Sequence, residues 1–224
     1  MSEYLQTEPM EQHEANIVVD FQNDFIDGSL AVNGATDIIE NVINLSKIRP
    51  TIATQDSHPI SHKSFASNND ALPGEVIQLN GVNQVLWPDH CVQGTLGWQL
   101  EPRFAAKGNI LHTFFKGTDY DVDSYSAFFD NSRLVNEKFI RKSTGLHEHL
   151  HSKNVKRLYI FGLATDYCVK YTVLDALTLG YKVYFVQDAS AAINLNKGDG
   201  ERAIAKMEEL GANVVGTDEV IDMQ

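Results

Sequence analysis

Three residues far apart in the chain, Asp20, Lys116 and Cys168, carry the groups needed to cleave an acyl bond through a covalent intermediate. A thiol supplies the nucleophile, a carboxylate the general base, and an ammonium balances the negative charge that develops. Cys168 lies in Gly162-Leu163-Ala164-Thr165-Asp166-Tyr167-Cys168, at the junction of an apolar run and a helical pattern. The first turn of a helix offers unpaired N–H groups and the positive end of its dipole, and both favour a thiolate. A free thiol titrates near about 8.5, so only a few per cent is ionised at neutral pH. The helix start and a nearby lysine are expected to lower that value. The same N–H groups suit an oxyanion. Asp20 closes the apolar run Ala15-Asn16-Ile17-Val18-Val19. A carboxylate there is partly desolvated, which lifts its pKa toward a range useful to a base. Each residue also has an ordinary alternative: caps and surface ion pairs for the acid and the lysine, an inert buried thiol for the cysteine.

A second cluster has the spacing of metal ligands. Asp56 and His58 are two apart in Gln55-Asp56-Ser57-His58-Pro59, His62 follows, and His90 occurs in Trp87-Pro88-Asp89-His90-Cys91. A hard carboxylate with imidazoles suits Zn²⁺, Mn²⁺ or Fe²⁺. Solvated turn residues are the alternative. His147, His149 and His151 also crowd one stretch, but no acid or cysteine completes a ligand set there, and an exposed histidine-rich helix is the expectation.

The elements that would position these groups alternate. Strands are predicted at Ala15–Asp20, Thr51–Thr54, Ile110–Phe115, Leu158–Gly162, Val183–Val186 and Asn213–Val215. Helical spacing joins Ile38 to Leu45, Leu146 to Leu150, Asp166 to Leu179 and Ala203 to Leu210. Residues 55–108 form a long excursion broken by prolines and glycines, and such stretches are usually functional. The pattern predicts an α/β fold with a six-stranded parallel sheet flanked by helices on both faces. In such sheets ligands bind beyond the carboxyl ends of the strands, where Asp20, Lys116 and Cys168 are placed.

Composition narrows the partners. The 224 residues carry a net charge of −12, which repels nucleic acid and anionic membranes but not a small neutral molecule. The two cysteines, Cys91 and Cys168, cannot form a disulfide framework. Residues 1–14 read as an acidic extension without the features of a signal peptide, and 15–224 as one domain. No apolar run approaches the roughly 20 residues that span a bilayer, so a cytoplasmic setting is expected. The oligomeric state is open.

Taken together the motifs resemble those of the nicotinamidases, in the isochorismatase-like cysteine hydrolase superfamily. Asp20-Phe21-Gln22-Asn23-Asp24-Phe25, Thr54-Gln55-Asp56-Ser57-His58-Pro59, Trp87-Pro88-Asp89-His90-Cys91-Val92, Lys116-Gly117, Asp123-Ser124-Tyr125-Ser126-Ala127-Phe128 and the segment ending at Cys168 occur in that family's order. The resemblance implies that Asp20, Lys116 and Cys168 are catalytic. It implies a cis peptide bond before Ala164, with the N–H groups of Ala164 and Cys168 as an oxyanion hole. Asp56, His58 and His90 would bind one divalent metal, zinc before iron or manganese, with His62 as a further possible ligand. Phe25, Trp87, Tyr125 and Tyr167 would line an aromatic slot for a pyridine ring. The implied reaction converts nicotinamide to nicotinate and ammonia in NAD salvage, with pyrazinamide also accepted. Ser57 departs from the aromatic residue common in that place. Two other readings stand beside this one: a superfamily amidohydrolase for carbamoyl or ureido substrates, which usually lacks the metal segment, and a catalytically silent binding module.

Overall fold

A computed structural model of the chain describes residues 13–223. Of the sequence-predicted extension, residues 1–12 lie outside the described part, and strand β1 (Glu14–Val19) begins one residue earlier than expected. Glu14 explains the difference. Its carboxylate meets Arg49 at 3.1 Å and also pairs with Arg157, so this acid belongs to the fold.

In chain order there follow α1 (Asn23–Ile26), α2 (Ile39–Ile48), β2 (Thr51–Asp56), β3 (Val76–Leu79), β4 (Val82–Val85), α3 (Pro102–Lys107), β5 (Ile110–Lys116), β6 (Arg133–Val135), β7 (Lys138–Ile140), α4 (Leu146–Ser152), β8 (Arg157–Leu163), α5 (Lys170–Thr178), β9 (Lys182–Ala191), α6 (Asp199–Glu209), β10 (Asn213–Val215) and α7 (Thr217–Asp222). The main sheet has six parallel strands in the order β10-β9-β8-β1-β2-β5. It is the architecture expected from the alternating pattern.

Alternation along the strands sorts the core into two layers. Val18, Ala53, Tyr159, Phe161, Tyr184 and Val186 face α2 and α7. Ile17, Val19, Leu158, Ile160, Val183 and Phe185 face α4, α5 and α6. Both faces are therefore apolar, as a parallel sheet sandwiched by helices requires. Gly162 sits where β8 runs closest to β1. A Cβ there would lie 2.3 Å from the Val19 carbonyl oxygen, and the φ of +119° suits only glycine.

The excursion between β2 and β5 is less irregular than its composition suggests. It holds an antiparallel hairpin, β3–β4, turned by Asn80 and Gly81, both at positive φ. Asn-Gly between apolar alternations is the usual signal for a tight hairpin turn. A second hairpin, β6–β7, turns at Asn136 and Glu137. The helix expected from Asp166 to Leu179 also differs: Thr165–Val169 form a wide π-helical turn before α5 begins.

Candidate active site

Asp20 is the first residue past β1, and its left-handed φ of 47° turns the chain out of the sheet. Lys116 ends β5, and Asp56 ends β2 beside it in register. Cys168 lies within the π turn just beyond β8. Separate strands thus deliver these groups to one sheet edge, and all are buried.

The ammonium of Lys116 is the hub. It donates to Asp56 Oδ1, to the Ser124 carbonyl at 2.7 Å and to Cys168 Sγ at 3.3 Å. Asp20 Oδ2 lies 2.8 Å away as an ion-pair partner. Oxygens of Asp20 and Asp56 and the sulfur of Cys168 lie within 4.8 Å of one another. Burial pushes the Asp20 carboxyl up to about 6, against the pull of Lys116. Burial also opposes ionisation of Asp56, but Lys116 and His58 outweigh it and hold that carboxyl below the usual range. For Lys116, burial favours the neutral amine, yet Asp20 and Asp56 keep its pKa well above the ordinary value.

The thiol departs from expectation. Burial raises the Cys168 pKa far above that of a free thiol, and the Asp20 and Asp56 charges add to it, while Lys116 only partly offsets them. The sequence reading weighed the helix start and the lysine and left out two carboxylates and full desolvation. In the resting site the proton stays on sulfur, facing a carboxylate poised to take it.

Asp56 Oδ2 faces the imidazoles. It lies 3.7 Å from His58 Nε2 and 3.9 Å from His90 Nε2. His58 Nδ1 is held by the Gly117 carbonyl at 2.8 Å, and His90 Nδ1 by the Pro88 carbonyl at 2.8 Å. These outer hydrogen bonds leave both Nε2 atoms aimed at the same space, the usual arrangement of ligating histidines. His58 Nε2 is buried without a hydrogen-bond partner, a vacancy that an ion would satisfy. The donor set fits a divalent metal. Burial and the His58 charge pull His90 down to about 4, so it presents a neutral ligand at neutral pH.

His62 stands apart. Its ring packs on that of His58 at 4.3 Å, but its Nδ1 accepts the Ser64 N–H at 3.2 Å. Its Nδ1 also meets the Ser64 hydroxyl at 2.7 Å, its Nε2 is buried without a hydrogen-bond partner, and with His58 and Asp123 it forms a second candidate ligand group.

Phe25, Trp87, Tyr125 and Tyr167 line one cleft, together with Ala164, Cys168, Asp56 and His90. The slot expected from sequence is therefore assembled over the thiol, and Leu30, Asp123 and Ile193, which sequence reasoning gave no role, complete its wall. Tyr167 meets Trp87 edge-on at 4.8 Å. Gln84, from the unforeseen hairpin, donates to Asp123 Oδ2 at 2.9 Å and to the Tyr125 hydroxyl at 3.1 Å. The free volume is about 20 Å³, room for about one water. The Leu163–Ala164 peptide bond is cis, as the resemblance implied. A larger cavity, about 570 Å³, lies at the opposite, amino-terminal end of the strands and includes none of these residues. His149 stacks on His112 beside it, and no candidate ligand cluster among the described residues includes the α4 histidines.

Fold and site define a three-layer α/β protein with a buried thiol, ammonium and carboxylates beside a metal-ready triad of side chains. The chain belongs to the isochorismatase-domain family, whose model matches residues 14–219. It is 43% identical over 206 residues to a nicotinamidase of Escherichia coli (strain K12), covering 89% of this chain and 93% of that one. Among solved structures it resembles a nicotinamidase/pyrazinamidase of Acinetobacter baumanii, at 35% identity and a TM-score of 0.84, covering 93% and 98% of the two chains. It also resembles the pyrazinamidase of Pyrococcus horikoshii in complex with zinc, at 33% identity and a TM-score of 0.70, covering 91% and 99%.

Proposed function

We propose that this chain is a nicotinamidase that hydrolyses nicotinamide to nicotinate and ammonia, serves NAD salvage, and also accepts pyrazinamide. The observation that carries the proposal is the convergence of Asp20, Lys116 and Cys168 beneath an aromatic slot that Asp56 and His90 also line. The reading as a ureido or carbamoyl hydrolase has less support, because the candidate ligand set is complete. The silent-module reading has less again, because none of the three chemical groups is missing.

Asp20 draws the proton from Cys168 as the sulfur attacks the amide carbon, so thiolate forms only as it is used. Lys116 keeps Asp20 ionised and faces the sulfur through its own N–H. The backbone N–H groups of Ala164 and Cys168 are assigned to the oxyanion. Asp20 then returns the proton to the departing ammonia. Water enters, loses a proton to Asp20 and attacks the thioester carbon; the C–S bond breaks, the acid is released, and Asp20 returns the proton to Cys168 Sγ. Phe25, Trp87, Tyr125 and Tyr167 hold the ring by offset and edge contacts. Asp56, His58 and His90 would hold one zinc ion, with His62 a candidate further ligand. Iron or manganese would suit the same donors. When bound, the metal supplies an electrophilic anchor for the ring nitrogen. Residues 15–224 act as one domain in this proposal, and the setting is the cytoplasm. Among the described residues no helix is long and apolar enough to cross a membrane.

The test is ammonia release from nicotinamide by the zinc-loaded protein, beside metal analysis. Release with about one metal per chain supports the proposal. No release from nicotinamide, with turnover of ureido compounds, would replace it with the other reading.

A further inference from the structure

Backbone pairing between β1 and β2 reaches only Val18 and Ala53. Side chains then take over. The Thr54 hydroxyl accepts the Asp20 N–H at 3.1 Å and donates its own proton to Asp20 Oδ1 at 2.7 Å. Both residues are buried. A hydroxyl has a single proton, and the incoming N–H fixes which way it points. Oδ1 is therefore committed as an acceptor. Oδ2 differs: it lies 2.8 Å from Lys116 Nζ, whose ammonium is shared with three other acceptors. Those acceptors are Asp56 Oδ1, the Ser124 carbonyl and Cys168 Sγ. One oxygen of the base is thus held by Thr54, and the other faces the ammonium that also contacts the thiol.

We propose that Thr54 is a positioning residue that fixes the plane of the Asp20 carboxylate and confines proton exchange with Cys168 to Oδ2. This rests on the hydrolytic reading above. In the step it serves, the S–H bond breaks and an O–H bond forms on Oδ2. The sulfur pair makes the S–C bond, and the carbonyl pair moves to oxygen. The groups facing Asp20 are Lys116, Asp56, Cys168 and, more distantly, Cys91. None of these four takes over the role of Thr54, since Lys116 lies against Oδ2 and the others have no hydrogen bond to Oδ1.

The experiment compares wild type, Thr54→Val and Thr54→Ser, all full-length and zinc-loaded, with nicotinamide. Removing the hydroxyl should lower kcat about 10-fold or more while KM changes little. It should also move the acid limb of the rate profile to higher pH, because the ionised base loses a donor. Serine should restore both. A valine variant with unchanged kcat and pH profile, and a wild-type melting temperature, overturns the proposal. If valine prevents folding, Thr54→Ala against Thr54→Ser is read by the same criteria. If the wild type releases no ammonia, the hydrolytic reading fails separately. The role of Thr54 is then read from the rate of Cys168 alkylation by iodoacetamide against pH, followed by mass spectrometry. A profile displaced in valine and restored in serine supports it, and superimposable profiles reject it.

Discussion

In the proposed mechanism Cys168 keeps its proton until Asp20 removes it, so the pair works as acid and base rather than as a ready-made thiolate. Activity then requires Asp20 to be ionised and Cys168 protonated in the free protein. With Asp20 raised to about 6 by burial, kcat/KM falls as pH drops through that value, because the base becomes protonated. A pH profile flat down to pH 4 would remove Asp20 from the role. Cys168→Ala should lower ammonia release by at least about 10³-fold, while calorimetry still detects nicotinamide binding. The residues of the candidate site were legible because thiols, carboxylates and imidazoles announce chemistry by type, and their motifs keep a fixed order. Thr54, Gln22 and Gln84 were not legible in the same way. Gln22 clamps Asp56 through both its N–H, at 2.8 Å, and its C=O, at 2.9 Å. A neutral side chain acting on a neighbour's backbone leaves no mark in composition or spacing.

At the scale of the elements, strand ends and turns set the geometry. Gly117 follows β5 at a φ of +62°, and a Cβ there would fall 2.3 Å from His58 Cε1. Gly117→Ala must push the imidazole away from the site while disturbing the carbonyl that orients it. Metal affinity should drop roughly 10- to 100-fold, read by competition with a chromophoric chelator; unchanged affinity would show that His58 is held otherwise. The hairpin β3–β4 carries Gln84 to Tyr125 and Asp123. Gln84→Leu should raise KM for nicotinamide roughly 2- to 10-fold through loss of that support, with kcat less affected. A change in kcat alone would argue against it. The parallel strands were readable from their apolar runs, and β9 only ran longer than expected, to Ala191. The hairpin was also written in the sequence, as Val76-Ile77-Gln78-Leu79-Asn80-Gly81-Val82, but surrounding prolines and glycines masked its periodicity. The π turn at Thr165–Val169 had no such signal, because its residues suit an ordinary helix start equally well.

For the molecule as a whole, an ion held by Asp56, His58 and His90 would tie β2 to the long segment that carries His90, linking ion binding to folding. Any ligand that binds only the folded chain stabilises it, by about 4 kcal/mol at a thousandfold excess over its Kd. For a chain of this size each 1 kcal/mol is worth about 2–4 °C. Stripping the metal with a chelator should lower Tm by about 8–16 °C at that excess of ion, and adding zinc should restore it; a Tm indifferent to chelation would detach the site from stability. The slot above Cys168 has a wider consequence. A space of about 20 Å³ is smaller than a six-membered ring, so the side chains that line the slot must shift as a ring enters. Capture should then depend on how often that lining rearranges as well as on how often molecules collide with it. Association should be slower than diffusion allows and little affected by ionic strength. Tight inhibitors should take hold with a visible lag, and should leave just as reluctantly.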